Sequence, residues 1–186
     1  MDKRVIKTKE RIANALLKLM GEKSTSKITV SEITSIAQIE RKTFYLHYSC
    51  INDVFIDLEE QIKKELVNEA NKYINEPSNN ITDIFNNLNT VILHNLQFFK
   101  AIMKNDSYSY VLHSFENILS DVIYKLADEK YNVKSSNLQY YAMFYAAGIV
   151  KLYTEWLKEE TKITLEELTS ITTRACFLSV DELDNY

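Results

Sequence analysis

In 186 residues this chain carries only two glycines and one proline. Sheets need many turns, and turns draw on glycine and proline for backbone shapes that other residues resist. Long runs in which Leu, Ile and Tyr recur every three or four positions fill the space between these few breakers. The sequence therefore predicts an all-α fold. A hydrophobic share of 46% is enough to bury a core at this length. Gly21 ends the first helical pattern, Arg4 to Met20, and reads as a left-handed stop. Pro77 lies in the plainest break, Glu76 to Asn80. A boundary there divides the chain into a head of residues 1–52, a connecting helix of 53–75 and a helical body of 80–186.

The residue inventory weighs against an enzyme. His47, His94 and His113 are scattered and form no HxxxH or ExxH pair, so no metal site is expected. Cys50 and Cys176 make no CxxC and have no visible activating base. Cys50 reads as a small buried hydrophobe. No glycine-rich phosphate loop is present, and no cofactor is implied. The N-terminus has no apolar leader, and no uncharged apolar run reaches the roughly 18 residues of a membrane span. The expectation is a cytosolic protein without a membrane partner.

Charge is unevenly distributed. Residues 1–50 hold ten Lys/Arg against five acids, a net of +5, which leaves −9 for the rest of a chain whose total is −4. A basic head on an acidic body suits a polyanion at one end. Within the head, Thr29-Val-Ser-Glu32 matches a capping box opening a short helix from about Val30 to Ala37. Val30, Ile33, Ile36 and Ala37 would face inward. Gln38 to Glu40 makes a turn, and Glu40 suits the cap of a third helix reaching about Tyr48. Phe44 and Tyr48, four apart, share its inner face with Ile39. Arg41, Lys42, Thr43, Tyr45, Leu46 and His47 are left around the outside, a face unlike an ordinary solvated helix. Asn52 or Asp53 would start the fourth helix.

The body reads as helices over about 81–105 (one helix or two in succession), 108–131, 136–160 and 164–183. In the last pair Tyr141, Tyr145, Ile149, Leu152 and Trp156 face Leu168, Ile171, Ala175 and Leu178 at helical spacing. That is more apolar surface than one intramolecular contact needs, and it suggests a four-helix seam between two copies. The many aromatic residues of the body could also enclose an apolar cavity, although aromatics at this spacing more often form core.

Three segments of the head carry a family likeness: Thr8 to Ile12 (TKERI), Thr29 to Ile33 (TVSEI) and Arg41 to Tyr48 (RKTFYLHY), followed by Asp53 to Phe55 (DVF). This third of the chain resembles the helix-turn-helix DNA-binding domain of the TetR family. FFKAIM (Phe98 to Met103) and FYAAGIVKLYTEWL (Phe144 to Leu157) are similar to the C-terminal domain of members related to a dihydroxyacetone kinase operon regulator. The resemblance implies a homodimer on double-stranded operator DNA, most often a repressor released by a small-molecule effector. An activator or coactivator of the same family is the alternative, and so is a helical protein-interaction module that binds no DNA. It also implies roles for residues. Arg41 would read a base, since a guanidinium can grip both acceptors of guanine. Lys42 would take a base or a phosphate. Thr43, Tyr45 and His47 match positions that touch the DNA backbone. Thr29 and Ser31 would meet phosphate at the start of the second helix. Two positions depart from the family pattern. Its usual turn glycine is Gln38 here, and a lysine that commonly opens the fourth helix is Ile51.

Overall fold

The computed structural model describes residues 2–75, 81–104, 109–130, 132, 135–158 and 162–183, and they are helical with no strand among them. The head comprises α1 (Lys3–Glu22), α2 (Val30–Ala37) and α3 (Arg41–Tyr45), with a 3-10 turn at Thr25–Lys27 between the first two. α4 (Ile51–Asn75) runs from the head into the body. The body holds α5 (Ile81–His94), α6 (Leu96–Met103), α7 (Ser109–Lys125), α8 (Leu138–Leu157) and α9 (Leu165–Leu183), with a π-helical turn, Leu126–Lys130, closing α7. The break at Glu76–Asn80 lies outside the described residues, as do Asp106 and Ser107 and the side chain of Leu178.

The head folds around α1. Ile12, Leu16 and Met20 are almost fully buried against Ile33 of α2 and Phe44 of α3. α2 starts as its sequence demands. The Thr29 hydroxyl accepts from the Glu32 amide (3.3 Å), and the Glu32 carboxylate accepts from the Thr29 amide (3.0 Å). The inward face differs from the expected one at one position. Ile36 is 38% exposed, and Thr34 is buried in its stead with its hydroxyl bonded to the Ser31 carbonyl.

Gln38 takes the left-handed conformation, φ 50 and ψ 51, that ends α2. The Ile39 amide closes back on the Thr34 carbonyl (3.0 Å), the long bond of a Schellman turn, while Arg11 of α1 holds the Gln38 carbonyl (2.9 Å). A side chain in this region costs about 1 kcal/mol against glycine. Gly21, by contrast, is ordinary helix. α1 continues through Glu22 and is capped by extended Lys23, so the left-handed stop expected at Gly21 is not used.

Aromatic rings join head to body. Phe55 of α4 stacks on Phe98 of α6 at 5.4 Å, and Phe98 and Phe99 both meet Phe115 of α7 edge-on or tilted. Lys104, just past α6, donates to the Gly21 carbonyl at the end of α1 (3.3 Å). Deeper in the body, Tyr153 donates to Asn89 (2.6 Å), and Asn89 donates to Thr169 (2.6 Å), tying α8, α5 and α9 through one buried polar line. Burial pushes the Tyr153 phenol well above its usual range.

Replacing Gln38 with glycine should raise stability by about 0.5–1 kcal/mol, since it relieves the left-handed side chain and leaves the backbone bonds to Thr34 and Arg11 intact. Chemical denaturation of the two proteins measures this directly.

Candidate nucleic-acid interface

α3 has five residues, too few to persist alone. It is held by its inner face. Phe44 is completely buried and Tyr48, just beyond the helix, is 6% exposed. The Tyr48 hydroxyl donates to Asp57 of α4 (2.7 Å), and Lys9 of α1 donates to the same carboxylate oxygen (3.0 Å) while lying over the Tyr48 ring. Burial opposes the Asp57 charge, but the bonds from Tyr48 and Lys9 outweigh it and hold the carboxyl below its usual range. Burial, then the hydrogen bond to Asp57 and the charge of that carboxylate, push the Tyr48 phenol above its own.

Turned the other way are Arg41, Lys42, Tyr45 and Leu46, all exposed, with Thr43 and His47 half-buried at the flanks. Arg41 reaches the Ser31 hydroxyl at 3.5 Å, which brings the starts of α2 and α3 together on one surface. Thr29 lies at the same end, but its hydroxyl is occupied, donating to Glu32 (2.8 Å) and accepting from the Glu32 amide. It serves the cap first. Glu40 precedes α3 and receives the Thr43 and Phe44 amides on its backbone carbonyl, without the side-chain cap expected of it. The side chain that does cap is Asp53, which accepts from the Ser49 and Cys50 amides (2.8 and 3.1 Å) where α4 begins at Ile51. Cys50 is exposed, not buried as expected, and its thiol meets the same carboxylate at 3.3 Å.

The body presents a second surface. Tyr140 and Phe144 of α8 are 71% and 72% exposed, with Tyr141, Met143 and, on α9, Ile171 also exposed. Two residues expected at a seam between copies are instead interior. Ile149 (4% exposed) and Leu168 (0%) pack within this chain and offer nothing to a partner. Tyr145, Leu152 and Trp156 are half-buried, and Ala175 is exposed. The periodicity could not separate the two faces of α8, because both are apolar.

The segment 79–176 matches the family model of a transcriptional-regulator C-terminal region of the TetR class. The chain belongs to the TetR family of transcriptional regulators. This TetR-family regulator is therefore not an enzyme. No curated protein matches its sequence. Among solved structures, the dihydroxyacetone kinase operon activator DhaS superposes with a TM-score of 0.73 at 21% identity, covering 94% of this chain and 96% of that one. A structure described as a TetR-family regulator from Syntrophomonas wolfei gives 0.75 at 16% identity, covering 93% and 94%. The fatty acid degradation regulator FadR from Bacillus halodurans gives 0.68 at 16%, covering 90% and 93%. At such identities these likenesses establish the shared all-α fold.

Leu46, expected on the outer side, is 72% exposed at the tip of α3, a lone apolar side chain among polar ones. One feature of the regulator escaped the sequence reading: Lys23 pairs with Glu32 (2.5 Å) across the 3-10 turn, joining α1 to the cap of α2. No helix among the described residues is long and apolar enough to cross a membrane.

The hydrogen bond from Lys23, then those from the Thr29 side chain and amide, lower the Glu32 pKa from 4.5 to about 2. A depressed carboxylate contributes stability that is complete above pH 4.5 and is lost as pH falls toward 2. Glu32→Gln should remove that dependence. Melting curves followed by circular dichroism across this window should show a flatter acid limb than the wild type, with the gap between the proteins closing as the pH falls.

Proposed function

We propose that the regulator is a homodimer that places α3 of each copy in the major groove of operator DNA, the two readers about 34 Å apart. The observation that carries this reading is the division of α3: Phe44 and Tyr48 inside, Arg41, Lys42, Tyr45 and Leu46 outside, beside Ser31. In this role Arg41 reads a guanine edge and Lys42 a base or phosphate. Tyr45, Thr43 and His47 meet the backbone. Ser31 and the first amides of α2 take a phosphate, with Thr29 contributing through the cap. The exposed arm residues Lys3, Arg4 and Lys7 add affinity without sequence preference.

The dimer in this reading forms on the outer face of α8 with α9, through Tyr140, Tyr141, Met143, Phe144, Ile171 and Ala175. An exposed apolar stripe of that extent on a helix pair supports a partner surface, and isologous contact of helix pairs is a common way to close a two-fold. Family membership together with a cavity in the body supports control by a small molecule, most simply release of a repressor. The activator DhaS has the same fold at nearly full coverage, so activation remains the second reading.

Titration of the full chain against DNA from its own upstream region, over a range of salt, tests the first claim. Tight binding that weakens steeply with salt is expected. A head that docks on an acidic protein would give no such sequence-dependent binding. Arg41→Ala should cost about 1–3 kcal/mol of operator binding and blur sequence choice; unchanged affinity and selectivity would count against the assignment. Phe144→Glu should yield a folded monomer by sedimentation and circular dichroism and weaken operator binding, with a Tm that no longer depends on protein concentration.

A further inference from the structure

Helices α4, α5, α6, α7 and α8 surround a cavity of about 100 Å³. Phe99 and Phe115, their rings 5.4 Å apart, form part of its floor together with Ile84 and Ile149, all buried. Its polar groups are few. Tyr153 is turned to Asn89, and Glu69 accepts from Lys72 on its own helix (2.6 Å). Asn87 and Thr154 are uncharged. Among the described residues, no Lys, Arg or His lines the cavity.

We infer that this cavity binds a small neutral apolar molecule, of the size of one aromatic ring or a short alkyl alcohol, and not an acyl carboxylate or an acyl thioester of a phosphorylated carrier. The inference rests on the reading of the body as the effector-binding part and names the chemical class of that effector. Volume sets the size. A dry protein cavity of about 150 Å³ holds one benzene, so this smaller one fits about six heavy atoms once its half-buried walls give slightly. Charge sets the class. A carboxylate taken from water without a cation beside it loses several kcal/mol of solvation, and among the described residues the one charged lining group is the acid Glu69, already paired with the exposed Lys72. A hydroxyl needs only one partner, and Asn87 or Thr154 supplies it. FadR is named for fatty acid degradation; a lining without a cation separates this chain from any regulator that holds an anionic head inside.

The test uses the full chain and three probes: benzene, 1-hexanol and hexanoate at pH 7. Benzene and 1-hexanol should each raise Tm by roughly 3 °C at ten times their Kd, and hexanoate should leave it unchanged. Ala70→Phe, which fills the cavity from α4, should fold and lose the response to both neutral probes; Ala70→Leu serves as the milder variant if the larger side chain prevents folding. A hexanoate shift equal to that of 1-hexanol overturns the inference, as does the absence of a shift with both neutral probes, or a shift that survives in the filled variant. Operator affinity measured with and without 1-hexanol judges the effector reading separately. Tm shifts without any change in DNA affinity would support the ligand class and sink the claim that the body senses an effector.

Discussion

The Asp57 carboxylate holds three elements at once. It lies on α4, receives the Tyr48 hydroxyl from the end of α3 and receives the Lys9 ammonium from α1. A five-residue helix lacks the length to sustain its own hydrogen bonds, so its direction is set by whatever grips its inner face. Phe44 supplies the apolar half of that grip and the Tyr48–Asp57–Lys9 node the polar half. The outer residues can then differ freely in chemistry, because none of them is needed to keep the helix in place. This separation of holding from reading allows one scaffold to carry many surface sequences.

The two surfaces that bear on function were unequally legible. On α3 the inner and outer residues differ in kind, aromatic against basic and polar, so a helical wheel assigns them and the structure places them accordingly. On α8 every side is apolar: Ile149, Tyr153 and Leu157 face the core while Tyr140, Met143 and Phe144 face out. Periodicity carries no information where both faces are hydrophobic, which is why Ile149 and Leu168 were expected at a surface and lie inside. Gln38 was legible on two grounds. The residues alone marked a turn at Gln38 to Glu40, and the family likeness, whose usual glycine falls at Gln38, marked where the left-handed residue lies. Capping side chains were read less well. Thr29 and Glu32 form a reciprocal motif with fixed spacing, whereas Asp53 caps α4 from inside its first turn, where an acid also serves as an ordinary helix residue.

The sequence could suggest an apolar cavity in the body but not place it. Its walls come from five helices spread over some ninety residues, and each contributes side chains that any core would use. Only the packing reveals that they fail to meet. The absence of a lining cation among the described residues is likewise a property of geometry, since α4 alone carries Lys63, Lys64 and Lys72 on its other sides.

The ring stack of Phe55 on Phe98 limits how the molecule can move. Together with Lys104 at the end of α1, it ties the first turns of α4, α6 and the end of α1 to one another. A swing of the head on α4 alone would have to break this stack and the Lys104 bond. Because Phe99 is next to Phe98 on α6 and also forms part of the cavity floor, these ties and the cavity share a wall, and any tilt of α6 changes the shape of the empty space.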